Sequence, residues 1–250
     1  MESRLRLAAL FLLSVALIAF ELSIMRVFAV GSWSNFGNLI ISTALLGFGL
    51  AGAVLTFLSG PVERHPDAWL FGTSLGFTAS MALAQVLSQR IPFEPTFLGA
   101  DPGQIWFLAL YYLVYGLPFV CGATFIGICF VVLRTRIHQL YFWNMAGSGV
   151  GGFFIVLCMY LLPPAQLVLP VMLLAFVATL LVMLKPGLDG RLKVPFDRFA
   201  LAVGTTVVAL ALVLGAGQIR ISEYKSSSYV RKYPELQLRH HSFSPAGEYH

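Results

Sequence analysis

From Asn38 to Leu58 the chain carries no charged side chain, and five later stretches repeat the pattern: Trp69–Leu87, Ile105–Leu133, Tyr141–Leu162, Leu167–Leu184 and Phe199–Ala216. A helix rises about 1.5 Å per residue, so about 20 apolar residues cross a hydrocarbon layer of about 30 Å. Leu7–Val30 makes a seventh stretch and differs in holding Glu21 and Arg26. The 250 residues are 58% hydrophobic and 11% charged, against about 25% charged in soluble domains. A water-soluble globule of this size could not hide that much apolar surface. The expected fold class is an all-α transmembrane bundle of about seven helices, with a short β-prone C-terminal tail. Residues 1–216 form the multipass domain and residues 217–250 the tail.

The same figures exclude disorder, collagen and disulfide scaffolds. The net charge is +5. In a chain of spans such an excess reads as a topology signal in the loops, with no nucleic acid as partner. Cys121, Cys129 and Cys158 lie inside apolar runs without CxxC or Cys/His spacing, and read as small packing residues.

Arg4 and Arg6 before Leu7–Phe20 resemble the start of a signal peptide. The apolar run continues past Glu21, and no A-x-A site follows Phe20, so the segment reads as a retained helix. With the N-terminus cytoplasmic, the inside loops hold Arg64, Arg134, Arg136, Lys185, Arg191, Lys193 and Arg198. The outside loops hold only Arg90. That asymmetry fixes the expected orientation, with the lipid bilayer as surrounding partner. Seven spans then send the tail outside.

Small residues at helical spacing mark close helix contacts. Gly147 and Gly151 form one GxxxG, and Gly72 and Gly76 another. Gly47 and Gly49 lie in a small-residue patch on the second span. Tight packing is the first reading, and a glycine-lined substrate path is the sharper one. Glu21, Arg26 and Asn144 are the polar residues that point to an intramembrane site. An ionisable group within a span is costly and faces protein or water. Glu21 and Arg26 point about 140° apart, so they make a poor intrahelical pair. Glu21 reads either as a structural hydrogen bond to another helix or as a proton or cation site. Asn144 reads either as a bridge between helices or as a bond to a neighbouring backbone, and Asn38, Gln85 and Thr124 read as structural polar residues.

In the tail, Glu235–His240 alternates in the manner of a strand, and Pro245 and Gly247 read as a turn. His240, His241 and His250 have no partner at metal spacing. No nucleophile elbow, Walker loop or HExxH occurs. The run Gly147–Gly152 lacks the preceding strand that a dinucleotide loop needs. No catalytic, cofactor-binding or metal-binding residue is assigned.

Four segments and the tail resemble the membrane-embedded spermidine-synthase-like proteins of bacteria. Phe20-Glu21-Leu22 through Met25-Arg26-Val27-Phe28 is similar to that family's opening F/Y-E-L…x-R-L pattern. Ile40–Gly52 looks like its Gly-rich helix, and Gly116–Phe125 like its L-P-F…G segment. Leu140–Gly152 resembles its Y-x-x-D-x-x-G-[AS]-x-x-G motif, with Asn144 where the family has Asp. That exchange removes a charge. In the tail, Tyr224-Lys225, Pro234 and Ser244-Pro245-Ala246-Gly247 resemble the opening of the family's aminopropyltransferase-like domain.

The resemblance implies a membrane domain that anchors, or feeds substrate to, a missing C-terminal domain using an S-adenosylmethionine-type cofactor. This chain would hold no cofactor and would not be catalytic alone. Two alternatives stand beside it: a transporter of a small cation such as a polyamine, and a structural subunit of a membrane complex. A cytosolic cofactor conflicts with an outside tail. Three resolutions are open: a miscounted span, a re-entrant break near Pro118, or a downstream domain without a cytosolic cofactor.

Overall fold

The computed structural model describes residues 2–31, 37–94, 97–186, 192–193 and 196–215, with short segments at 242–243 and 248–249. Seven helices are long and apolar enough to cross a membrane. They are α1 (Glu2–Gly31), α2 (Gly37–Arg64), α3 (Pro66–Ser88), α4 (Gly103–Val132), α5 (Ile137–Leu161), α6 (Val168–Met183) and α7 (Phe196–Gly215). The chain is an integral membrane bundle of all-α class. Several helices start where proline supplies the first-turn geometry: Pro66 opens α3 and Pro102 caps α4.

Pro118 lies inside α4, which runs unbroken from Gly103 to Val132. The re-entrant break near Pro118, one of the three resolutions of the topology conflict, therefore does not form. A span tolerates the lost backbone hydrogen bond where neighbouring helices enclose the proline, and Pro118 is buried.

The centre of the bundle is α1. Two-thirds of its apolar window is buried (67%), against 28% in α2 and α5 and 22% in α7. It packs against α2, α4, α5 and α6. Its residues Leu10, Leu13, Leu17, Phe20 and Ile24 are wholly enclosed. A single non-helical residue, His65, joins α2 to α3, yet these two helices splay and α4 packs on both. The helices α3, α6 and α7 form the other side.

Contacts at the helix ends fix which ends share a face. Arg6 donates to Asp67 at 2.8 Å, joining the starts of α1 and α3. Arg198 at the start of α7 lies 5.7 Å from the Phe71 ring of α3. The starts of α1, α3 and α7 thus share one end, and alternation of the chain adds the starts of α5 and the ends of α2, α4 and α6. Arg4, Arg64, Arg134 and Arg136 therefore stand at a common basic end.

At the opposite end, residues 89–94 and 97–102 lie against the bundle. Tyr111 donates to the Ser88 carbonyl at 2.9 Å, and the Glu94 amide donates to Gln104 Oε1 at 2.9 Å. Phe28, Phe93, Tyr111 and Tyr115 stack in one aromatic group there. Large apolar side chains such as Phe57, Leu113 and Leu161 are exposed on the outer faces, as lipid-facing residues should be.

Two-residue strands β1 (Lys185–Pro186) and β2 (Leu192–Lys193) pair antiparallel between α6 and α7. In the tail β3 (Ser242–Phe243) pairs with β4 (Glu248–Tyr249). The expected strand Glu235–His240 and the turn at Pro245 and Gly247 lie outside the described residues, as do His240, His241 and His250.

Candidate functional site

Among the described glycines, those that come closest to the backbone of another helix lie at the seam between α1 and α5. A β-carbon at Gly147 would stand 2.6 Å from the Phe11 carbonyl oxygen and 2.9 Å from Ser14 Cβ. One at Gly151 would stand 2.5 Å from the Val15 carbonyl oxygen and 3.0 Å from Val15 Cα. Four residues along α5 correspond to four along α1, so the two helices run in the same direction. The glycine Cα–H groups face carbonyl oxygens in two successive turns, a weak hydrogen bond that recurs where helices touch.

Asn144 lies one turn before Gly147 and reaches across the seam. Ser14 Oγ is 2.8 Å from Asn144 Oδ1 and also 2.8 Å from the Leu10 carbonyl. A hydroxyl has one proton and so donates to one of these acceptors at a time. With the amide turned over, Asn144 Nδ2 donates to Ser14 Oγ while Ser14 donates to Leu10, and both contacts are satisfied at once. The bridging reading of Asn144 is thus what the structure shows. Removing either partner should cost about 1 kcal/mol, the scale of an interhelical polar contact in a membrane. Ser14→Ala, Asn144→Leu and the double variant, unfolded thermally in detergent, should show a favourable coupling. Strictly additive losses would mean that the pair contributes nothing.

Glu21 is half-buried, about two turns beyond Ser14 on α1. The residues on its stripe of α1 meet three different helices. Leu17, one turn before, touches Gly122 of α4. Met25, one turn after, touches Gly37 of α2. Ser14 meets Asn144 of α5. Among the described residues Glu21 makes no hydrogen bond and no ion pair. The expected structural hydrogen bond from Glu21 to another helix is therefore not formed. Arg26 is half-buried, has interactions of its own and is not paired with Glu21.

The other glycines divide. A β-carbon at Gly47 would stand 2.5 Å from Phe119 Cβ, and one at Gly76 would stand 3.4 Å from Cys121 Sγ, so both pack against α4. Gly49 and Gly72 would meet nothing within 4 Å, which corrects their expected packing role. Residues two apart on a helix point about 200° apart, so Gly47 and Gly49 cannot face one partner. Crossed helices touch over a short length, and α3 and α4 have parted one turn away from Gly76.

Sequence reasoning missed three features. Gly122 and Gly127 are further contact points, against Leu17 and Leu55, but neither has a GxxxG partner. Phe20 ties the centre together, stacking on Phe119 at 5.6 Å and edge-on to Phe77 at 6.1 Å. The Arg6–Asp67 pair was legible as opposite charges flanking spans that start on one side.

Asn38 is exposed and Gln85 and Thr124 are buried. Among the described residues no group of three or more His, Cys, Asp or Glu side chains converges in the manner of a metal site. Comparison with known protein families, curated proteins and solved structures matches the chain to none of them.

Proposed function

We propose that the chain is the membrane domain of a spermidine-synthase-like protein, held in a bacterial inner membrane with its N-terminus cytoplasmic. Its role is to anchor a soluble cofactor-binding domain or to feed it substrate. One observation supports this reading above others: the four segments that carry the resemblance meet at the bundle centre. Phe20 stacks on Phe119, Gly47 backs onto Phe119, Gly122 receives Leu17, and Gly147 and Gly151 seat on α1. Such segments act as one framework, which suits an anchor.

An odd number of crossings bears on both halves of the role. If the N-terminus is cytoplasmic, the chain beyond Gly215 emerges outside, away from cytosolic S-adenosylmethionine. Under either role, a domain on that side would work without the cytosolic cofactor.

Two measurements test it. Calorimetry of the purified chain with S-adenosylmethionine and its decarboxylated form should show no saturable binding. Vesicles containing the chain should take up labelled spermidine no faster than empty vesicles. Micromolar affinity for either cofactor would place a binding site within this chain and contradict the anchor. Saturable uptake would favour the cation transporter instead. Co-purification of an unrelated membrane protein at fixed stoichiometry would favour the structural subunit.

A further inference from the structure

Glu21 carries a charge problem that the helices around it do not solve. It is 10 residues from the end of α1 at Gly31, about 15 Å along the axis at the helical rise. The helices packed on α1 are α2, α4, α5 and α6, and α3 touches it through Arg6–Asp67 and Phe20–Phe77, its one charged residue being Asp67 in the first turn at the basic end. None carries an Asp, Glu, Lys or Arg inside its span. In α2 the first charged residue is Glu63, at the basic end; α4 and α6 have none. The sole ionisable nitrogen in α5 is His138, in its first turn, at that same basic end. The remaining titratable groups on these helices are tyrosines and cysteines such as Tyr115, Cys121 and Cys158, which are neutral at ordinary pH. On its own helix Arg26 is five residues away and is held by interactions of its own.

An ionised carboxylate at this depth needs a counter-ion, a hydrogen-bond donor or water. The described residues supply neither of the first two. We propose that Glu21 is a proton-binding site, an exchangeable carboxyl where α2, α4 and α5 converge on α1. Its ligand is a proton, taken from water and returned to it. The side chain is half-exposed and so is not sealed inside the bundle. The central position joins proton occupancy to the contacts of three helices, because Leu17, Met25 and Ser14 share its stripe.

The test is carbodiimide labelling of the full chain in lipid nanodiscs. Dicyclohexylcarbodiimide partitions into lipid and reacts with protonated carboxyls. Peptide mass spectrometry should find the adduct on Glu21, with yield falling about tenfold per pH unit once the carboxyl ionises. Glu21→Gln should abolish the adduct. No variant is needed for the central observation, so a misfolding substitution does not decide it. No adduct on Glu21 at any pH would overturn the proposal. So would protection by sodium at constant pH, which would assign the site to a metal cation.

Discussion

Replacing Gly151 by alanine is expected to part α1 from α5. The added carbon would stand 2.5 Å from the Val15 carbonyl oxygen and 3.0 Å from Val15 Cα. Both atoms are backbone, and no rotamer change moves them aside. The helices must separate, losing the close contact at Gly147 and lengthening the Ser14–Asn144 bond. Overpacking at a tight contact costs about 1–3 kcal/mol, and this site belongs at the upper end. Gly151→Leu should prevent a stable bundle. Thermal unfolding in detergent provides the check. A Gly151→Ala variant as stable as the parent would mean that α1 and α5 do not meet there.

Gly47→Leu should have the next largest effect, because its neighbours serve two interfaces. A β-carbon there would stand 2.5 Å from Phe119 Cβ and 3.1 Å from the Phe119 carbonyl carbon. Phe119 stacks on Phe20 of α1, so displacing it disturbs the α2–α4 and the α1–α4 contacts together. A loss of about 2–3 kcal/mol is expected. Gly49→Ala, two residues away, meets nothing within 4 Å. It should be neutral, or stabilising by up to about 1 kcal/mol through helix propensity. Equal effects at the two positions would show that α2 is rotated from the orientation described.

The contrast between Gly47 and Gly49 shows where sequence reading ends for this chain. The spans themselves were legible. Every expected stretch lies within a described helix to within a residue or two at its ends, since hydrocarbon thickness fixes how long an uncharged run must be. The pairing of faces was not. In water an amphipathic pattern separates the buried side of a helix from the exposed one. In lipid both sides are apolar: on α5, Ile155 and Met159 are buried while Phe153, Leu157 and Leu161 are exposed.

Only small and polar residues then mark a contact, and spacing alone does not say which of them do. Gly147 and Gly151 were found because both members of the motif face α1. Gly72 was misread because only Gly76 meets α4. The polar residues carried more information. Of the two readings of Asn144, the bridge between helices is the one that forms. Glu21 was identified by its cost in lipid, while its lack of a partner among the described residues required the positions of the neighbouring helices.

The parity of the bundle sets the side on which a domain after α7 would stand, and topology reporters in whole cells test it most directly. Fusions after Arg136 and Lys193 should read cytoplasmic, and fusions after Gly99 and Gly215 should read external. That pattern requires seven crossings with the N-terminus inside. A cytoplasmic signal after both Lys193 and Gly215 would mean that α7 does not cross the membrane, contradicting the seven-span account.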